Sequence, residues 1–282
     1  MSGFAKASRA LRRPLAVLGL ALGAALPVAA EVPARVVSMN LCTDQLALLI
    51  AAPGQVVSVS HFADDPAMSA YADLARGLPE NRGRAEELYL LHPDLVLADV
   101  WSSPATISML TRLGVRVEQF TPGNAMDEIR QNILRMGDVL GREARAAEVL
   151  ADFDARLAAL PPLPADPPRA ALYGPGGYTY GPSTLAGQIL QAAGFANVAA
   201  AAGLPWGGTL SLEELVMTAP DLVVSGRAMG RSRAEEVLRH PALDGLRRAG
   251  AATDVDWACA TPAVAEAAER LADLRLALEA GR

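Results

Sequence analysis

The sequence predicts an α/β protein of two Rossmann-like lobes with parallel-rich sheets, joined by a single long bridging helix. Three observations predict it. The phrase EELYLLHPDLVLAD at 86–99 returns as EELVMTAPDLVVSG at 213–226. Around each copy the same alternation of short apolar runs and helical patterns recurs more faintly. Between the copies runs one extended helical pattern, closed by PPLPADPP at 161–168. In each copy a helical pattern meets Pro-Asp and then a short apolar run, 95–98 or 222–224, with the composition of a buried strand. The proline closes the helix and the strand begins at once, which is a helix-to-strand piece of a parallel sheet.

Residues 1–30 are read apart from the fold. Lys6, Arg9, Arg12 and Arg13 precede an apolar run from Leu15 to Leu26, and small residues follow at Val28 and Ala30. This is the pattern of a secretory signal peptide cut near Ala30. The run is short of the ~20 residues that a spanning helix needs. No small-residue-then-cysteine signature stands at the cut, so a lipid anchor is not expected, and the mature chain is expected to be soluble and outside the cytoplasm.

The first lobe, 31–123, opens with a strand at RVVSM (35–39) and continues through LALLIAAPGQVVSV (46–59) to the Pro-Asp strand. A helix at PATISMLTRLG (104–114) and a strand at VRVEQF (115–120) complete it. The bridging segment, 124–160, has Asn124 as a good N-cap and keeps Ile129, Ile133, Met136, Leu140, Leu150, Phe153 and Leu157 near helical spacing. Gly137 and Gly141 weaken it and offer places to split it in two. The second lobe, 161–282, repeats the plan. Its strand RAALY (169–173) and its AGQILQAAGFANVA (186–199) precede the Pro-Asp strand, and a helix over 233–250 and a strand at AATDVD (251–256) follow.

Composition narrows the function. A net charge of -6 argues against nucleic acid or an anionic membrane surface as the main partner. The three histidines, His61, His92 and His240, are scattered and form no zinc constellation, so neither a metal site nor a bound cofactor is expected. GPGGYTYG at 174–181 lacks both the dinucleotide fingerprint and the Lys-Ser/Thr of a phosphate loop, and no G-x-S-x-G elbow is present. Asp44, Asp64, Asp65 and Asp99 lie near strand ends, and a glycosidase-like pair among them keeps an exported enzyme or a ligand sensor as the competing class.

Ligands of open α/β sheets bind beyond the carboxyl ends of the strands. There the sequence sets His61 and Phe62 after VVSVS, Trp101 after LVLADV, and Tyr178 and Tyr180 in the glycine-rich turn after RAALY. Trp206 precedes the second copy of the phrase and Trp257 follows TDVD, so all three tryptophans fall in such loops. With aromatics at 5% of the chain, this concentration suits a flat or bulky ligand; Trp257 is read as packing. Arg227, closest to the end of its strand, is a candidate partner for ligand carboxylates, whereas Arg231 and Arg233 read as solvated. Cys42 and Cys259 each follow a strand, one in each lobe. In an oxidising compartment such an even pair is expected to bond across the lobes, two separate buried thiols being the alternative.

The signal peptide, the Pro-Asp element in each lobe, the bridging segment, PGGYTYGPSTLAGQILQAAGFANVA (175–199) and HPAL (240–243) together resemble the class III periplasmic substrate-binding proteins. The resemblance covers the whole mature chain. It implies a periplasmic, monomeric receptor without enzymatic activity, which holds a metal chelate in a cleft between its lobes. The chelate would be cobalamin, a ferric siderophore or haem, delivered to an ABC importer. It also implies that Trp101 and Trp206 flank the ligand, and that Glu86 and Glu213, each seven residues before its proline, dock onto arginines of the membrane permease. The residues themselves allow another reading, since acids gather in first helical turns and Ser211 with Glu214 makes a capping box. Glu87 and Glu214 are accordingly read as structural.

Overall fold

From the first strand onward the chain alternates strand and helix: β1 (Val36–Ser38), α1 (Leu41–Ile50), β2 (Val56–Ser60), α2 (Ala72–Ala75), β3 (Glu80–Asn81), α3 (Ala85–Leu90), β4 (Leu95–Asp99), α4 (Pro104–Arg112) and β5 (Arg116–Phe120). The computed structural model describes residues 31–226, 232–246, 248–250 and 255–281; residues 1–30, expected to be a signal peptide, and the candidate Arg227 lie outside them. The strands pair in the order β3-β2-β1-β4-β5, every neighbour parallel. β1 and β4 are buried along their whole length, as strands covered on both faces must be. Their shared border is where the winding reverses, the place at which such sheets leave a crevice at the strands' carboxyl ends.

The segment expected as one bridging helix is two, α5 (Met126–Leu140) and α6 (Glu143–Ala158). Gly141 takes the left-handed conformation (φ 63°, ψ 39°) that ends a helix, and the Arg142 N–H closes back onto the Gly137 carbonyl at 2.7 Å. A side chain at Gly137 would meet Ala146 and the Arg142 carbonyl, so the glycine also lets α6 fold back close to α5.

The second half runs β6 (Arg169–Leu172), β7 (Tyr178–Thr179), α7 (Leu185–Ala192), β8 (Ala196–Asn197), α8 (Val198–Ala201), β9 (Gly208–Thr209), α9 (Leu212–Met217), β10 (Leu222–Ser225), β11 (Arg248–Gly250) and α10 (Val264–Ala280). Its main sheet is β11-β10-β6-β8, again parallel throughout. Strand by strand β6, β8, β10 and β11 repeat β1, β2, β4 and β5, so the second sheet has its own reversal, between β6 and β10. The helix expected over 233–250 is replaced by two 3-10 turns, Arg233–Arg239 and Pro241–Leu243. Pro241 cannot donate to a preceding helix and ends the first turn. The final strand is Arg248–Gly250, ahead of the AATDVD run, of which 251–254 lie outside the described residues.

One apolar cluster runs through both halves: Val36, Leu95 and Leu97 under the first sheet, Ile133, Met136 and Phe153 on α5 and α6, Leu172 and Val224 in the second sheet, and Val264, Ala268 and Leu271 on α10. The helical pair and α10 therefore lie between the sheets and share their core. Polar links reinforce the join. The Arg156 guanidinium on α6 grips Glu269 of α10 through two bonds of 2.8 and 2.7 Å, and the Met126 N–H donates to Gln188 on α7 at 2.9 Å. Among the described residues no helix is long and apolar enough to cross a membrane.

Candidate ligand-binding cleft

On the first-sheet side the site is built from the reversal between β1 and β4. Asn40 caps α1, its Oδ1 accepting the N–H groups of Cys42 at 2.9 Å and Thr43 at 3.4 Å. The other end of the same amide donates to Asp99 at the close of β4, 2.8 Å away. Asp99 in turn accepts the Trp101 N–H at 3.1 Å and the Ser102 hydroxyl at 2.7 Å. One amide thus fixes the start of α1, with Cys42 in its first turn, against the loop that carries Trp101.

Behind the cap, Asp44 is fully buried and reaches the end of β2, accepting the Ser60 N–H at 3.1 Å and the Ser60 hydroxyl at 2.5 Å. Burial pushes its carboxyl up to about 7, against hydrogen bonds from Ser38 and Ser60 that hold it down. Asp44 is therefore a structural acid inside the lobe, and it makes no pair with Asp99, which is engaged by Asn40 and Ser102.

The second-sheet side is an added flap. Tyr178 and Thr179 pair antiparallel with Thr209 and Gly208 to form β7 and β9, a small two-stranded sheet beyond the end of β6. The strands meet closely because Gly207 adopts φ 91°, and a Cβ there would sit 2.6 Å from the Thr179 carbonyl. Asn197 anchors the flap by donating to the Tyr180 carbonyl at 2.9 Å. Tyr178 and Tyr180 stand edge to face with centroids 5.1 Å apart. Both are half exposed, at 41% and 44%, and Trp206 beside β9 is 69% exposed.

Cys42 is bonded to Cys259, with Cα atoms 5.2 Å apart. The bond brings the segment ahead of α10 onto the first turn of α1, where the Thr261 hydroxyl also meets Gln45 at 3.3 Å. Between this seam and the aromatic flap opens a cleft of about 530 Å³, within the usual range for small-molecule sites. Cys42, Pro122, Gly123 and Asn124 line it from the first half, Tyr178, Tyr180, Thr184 and Trp206 from the second, and Trp257 and Cys259 from the crossing segment. No Asp, Glu, His, Lys or Arg is among its described lining residues. Among the described residues there is no cluster of His, Cys, Asp or Glu suited to hold a metal ion.

Of the residues singled out from sequence, the cleft brings together Tyr178, Tyr180, Trp206 and both cysteines. His61, Phe62 and Trp101 are not in its lining. They stand at the carboxyl ends of β2 and β4, Phe62 42% and Trp101 80% exposed, with the His61 and Phe62 rings 3.8 Å apart. Trp257, read as packing, does pack on the core and lines the cleft as well. Pro122 and Gly123 were not expected in the lining, though a Thr-Pro-Gly-Asn run directly after β5, at a strand's carboxyl end, was a signal for them; Asn124, expected as the N-cap of the bridging helix, lines the cleft while Ala125 stands at the N-cap position of α5.

Glu86 and Glu213 lie on α3 and α9, exposed, and neither makes a hydrogen bond or ion pair among the described residues. Their neighbours are engaged: Glu87 accepts the Arg82 N–H at 2.9 Å, and Glu214 closes the capping box with Ser211 at 2.9 Å.

Comparison with known proteins adds kinship to this geometry. A family model described as periplasmic binding protein matches residues 36–255. A cobalamin-binding protein of Halobacterium salinarum is 30% identical over 207 residues, 71% of this chain and 55% of its own. The chain thus spans about half the length of that relative. Among solved structures, a periplasmic heme-binding protein from Roseiflexus sp. RS-1 is 24% identical, aligned over 88% of this chain and 99% of its own with a TM-score of 0.67. The periplasmic vitamin B12 binding protein of Vibrio cholerae is 18% identical over 88% and 98%, with a TM-score of 0.61. At these identities the two structures speak for the fold.

Proposed function

Because the chain belongs to the periplasmic binding protein family, we propose that it is an exported receptor that captures a corrinoid such as cobalamin in the cleft and hands it to the permease of an ABC importer. The observation that carries the choice of ligand is the lining: four aromatic side chains, Tyr178, Tyr180, Trp206 and Trp257, around about 530 Å³ with no Asp, Glu, His, Lys or Arg among the described lining residues. A corrin is a broad, largely apolar macrocycle edged with neutral amides, which aromatic faces and groups such as Asn124 and Thr184 accommodate. Haem propionates and ferric carboxylate complexes call for cationic partners, and the candidate for that role, Arg227, lies outside the described residues. The name of the Halobacterium relative points the same way.

In this reading the two lobes are 31–123 and 161–282, the leader is removed near Ala30, and the receptor works as a monomer in the periplasm. His61, Phe62 and Trp101 extend the aromatic surface on the first lobe, and Glu86 and Glu213 dock the loaded receptor onto the permease. No bond in the ligand is made or broken; release follows when the docked permease favours the open form. Haem is the second reading, supported by the phenols of Tyr178 and Tyr180 in the cleft, since tyrosine is an established haem ligand. Titration followed by tryptophan fluorescence decides between them, with cyanocobalamin, haemin and a ferric hydroxamate as probes. Saturable quenching by cyanocobalamin alone is expected. Quenching by haemin or the hydroxamate alone would replace the corrinoid, and no response to any of the three would remove the chelate reading.

A further inference from the structure

The two copies of the duplicated phrase match in what they expose as well as in what they bury. Leu88 and Leu215 are both fully buried, each in an apolar cluster of its own lobe, and fix α3 and α9 to the body. On the outward side the pattern is acid, apolar, apolar at i, i+3 and i+4: Glu86, Tyr89 and Leu90 on α3, and Glu213, Val216 and Met217 on α9. That spacing sets the three side chains on one helical face. Tyr89 and Val216 are 41% and 40% exposed, Leu90 and Met217 72% and 84%.

A single exposed leucine needs no explanation. The same exposed apolar pair at equivalent places in both halves, one turn from an acid that makes no hydrogen bond or ion pair among the described residues, is not required by the fold. Nor does it come from the second glutamates, which are occupied by Arg82 and Ser211. We infer that each lobe carries a composite contact, Glu86 with Tyr89 and Leu90 on one and Glu213 with Val216 and Met217 on the other. The two contacts fit a membrane permease with two equivalent halves, each offering a cationic side chain beside an apolar pocket. The inference rests on the docking role proposed for the two glutamates and extends it: the acids steer and orient the complex, and the apolar pair, desolvated on contact, slows its dissociation. A closed two-fold partner accounts for the duplication, because a receptor with two similar halves meets two similar sites at once.

The test begins with the full-length receptor carrying a benzophenone amino acid in place of Leu90 or Met217, irradiated with membranes of the native host. Both positions are expected to cross-link to one polytopic permease subunit, identified by peptide mass spectrometry. A cross-link from one position only, or to a second copy of the chain, overturns the proposal. Docking to that permease in nanodiscs is then measured for Leu90→Ser with Met217→Ser and for Glu86→Ala with Glu213→Ala, after checking that each variant melts like the parent and responds like it to cyanocobalamin, haemin and a ferric hydroxamate. The apolar pair of changes is expected to weaken docking at least tenfold with its salt dependence intact, and the acidic pair to weaken it and flatten the salt dependence. Parent-like docking by the serine variant beside loss in the alanine variant overturns the apolar contact and leaves the glutamates in place. Parent-like docking by both removes the glutamate role and this inference with it.

Discussion

Asp94 and Asp221 play one part twice: each follows the proline of its copy and accepts the N–H of an arginine at the start of its lobe's first strand, Arg35 at 3.0 Å and Arg169 at 2.7 Å. The backbone answers in the other direction, the Asp94 N–H donating to Arg35 at 3.1 Å and the Asp221 N–H to Arg169 at 2.8 Å. Just before each proline the chain turns through the left-handed region, with φ 49° at His92 and 45° at Ala219. The repeated Pro-Asp is therefore a clasp that sets the register of the two central strands in each sheet. Replacing Asp94 or Asp221 by alanine leaves strand-end donors without their carboxylate and is expected to cost ~1 kcal/mol in either lobe. Asparagine, which keeps an acceptor, should recover part of the loss. Urea unfolding with the order parent, Asn, Ala at both sites checks this, and an unchanged midpoint for both alanine variants would count against the clasp.

This clasp explains why so much of the fold was legible in the sequence. Helix, left-handed residue, proline, aspartate and buried strand are all local, so a duplicated phrase reports a duplicated unit directly. The helical pair was less legible. The spacing from Ile129 to Leu157 stays near helical through Gly141, and only the left-handed turn at Gly141 separates α5 from α6. The cleft was half legible. Tyr178, Tyr180 and Trp206 stood out as aromatics in strand-end loops, yet the seam formed by Pro122, Gly123, Asn124 and Trp257 depends on a crossing segment distant in sequence. No local pattern announces such a meeting.

Trp206 is the most exposed aromatic of the cleft, at 69%, and stands on the flap. Its side chain contributes little to the free protein's core, so Trp206→Ala should leave the melting temperature close to the parent's. Loss of one aromatic face against a flat ligand is worth ~1 kcal/mol or more beyond area burial, and each 1.4 kcal/mol is about tenfold in affinity. Isothermal titration with cyanocobalamin is expected to find binding weakened by roughly that factor. Trp257→Ala should weaken both binding and stability, because Trp257 also packs on the core. Parent-like affinity in both variants would remove the aromatic cleft from ligand recognition.

The Cys42–Cys259 bond closes 217 residues of chain. For so long a loop, chain-entropy reasoning gives an upper figure of ~5 kcal/mol from restriction of the unfolded state. Protein secreted without reductant should take no alkylating label even when denatured, and two labels after reduction, by intact mass. Cys42→Ser with Cys259→Ser is expected to lower the urea midpoint by an amount equivalent to a few kcal/mol, and to loosen the wall of the cleft that the two residues line. Two labels on the unreduced, denatured protein would show free thiols and dispose of the tether.

Asp44 gives the pH dependence its sign. Its carboxyl titrates near 3.8 when solvated and is pushed up to about 7 in the folded protein, chiefly by burial. Between those values the folded state binds the proton that the unfolded state has already released, so folding becomes less favourable as the pH rises. The contribution is complete below the lower value and lost as the pH passes the upper one. At 1.36 kcal/mol per pH unit the span corresponds to about 4 kcal/mol as an upper bound. Carboxylates with lowered values act in the opposite sense, Glu269 beside Arg156 and Glu214 bonded to Ser211 among them. The parent's own pH profile therefore mixes both signs, and the difference between Asp44→Asn and parent isolates the buried acid. Asparagine carries no charge at any pH and keeps an oxygen to accept from Ser60. Its stability relative to the parent, from urea unfolding at intervals across this range, should rise steadily with pH and level off above neutrality. A difference that stays flat would mean that Asp44 ionises in the fold as readily as in water.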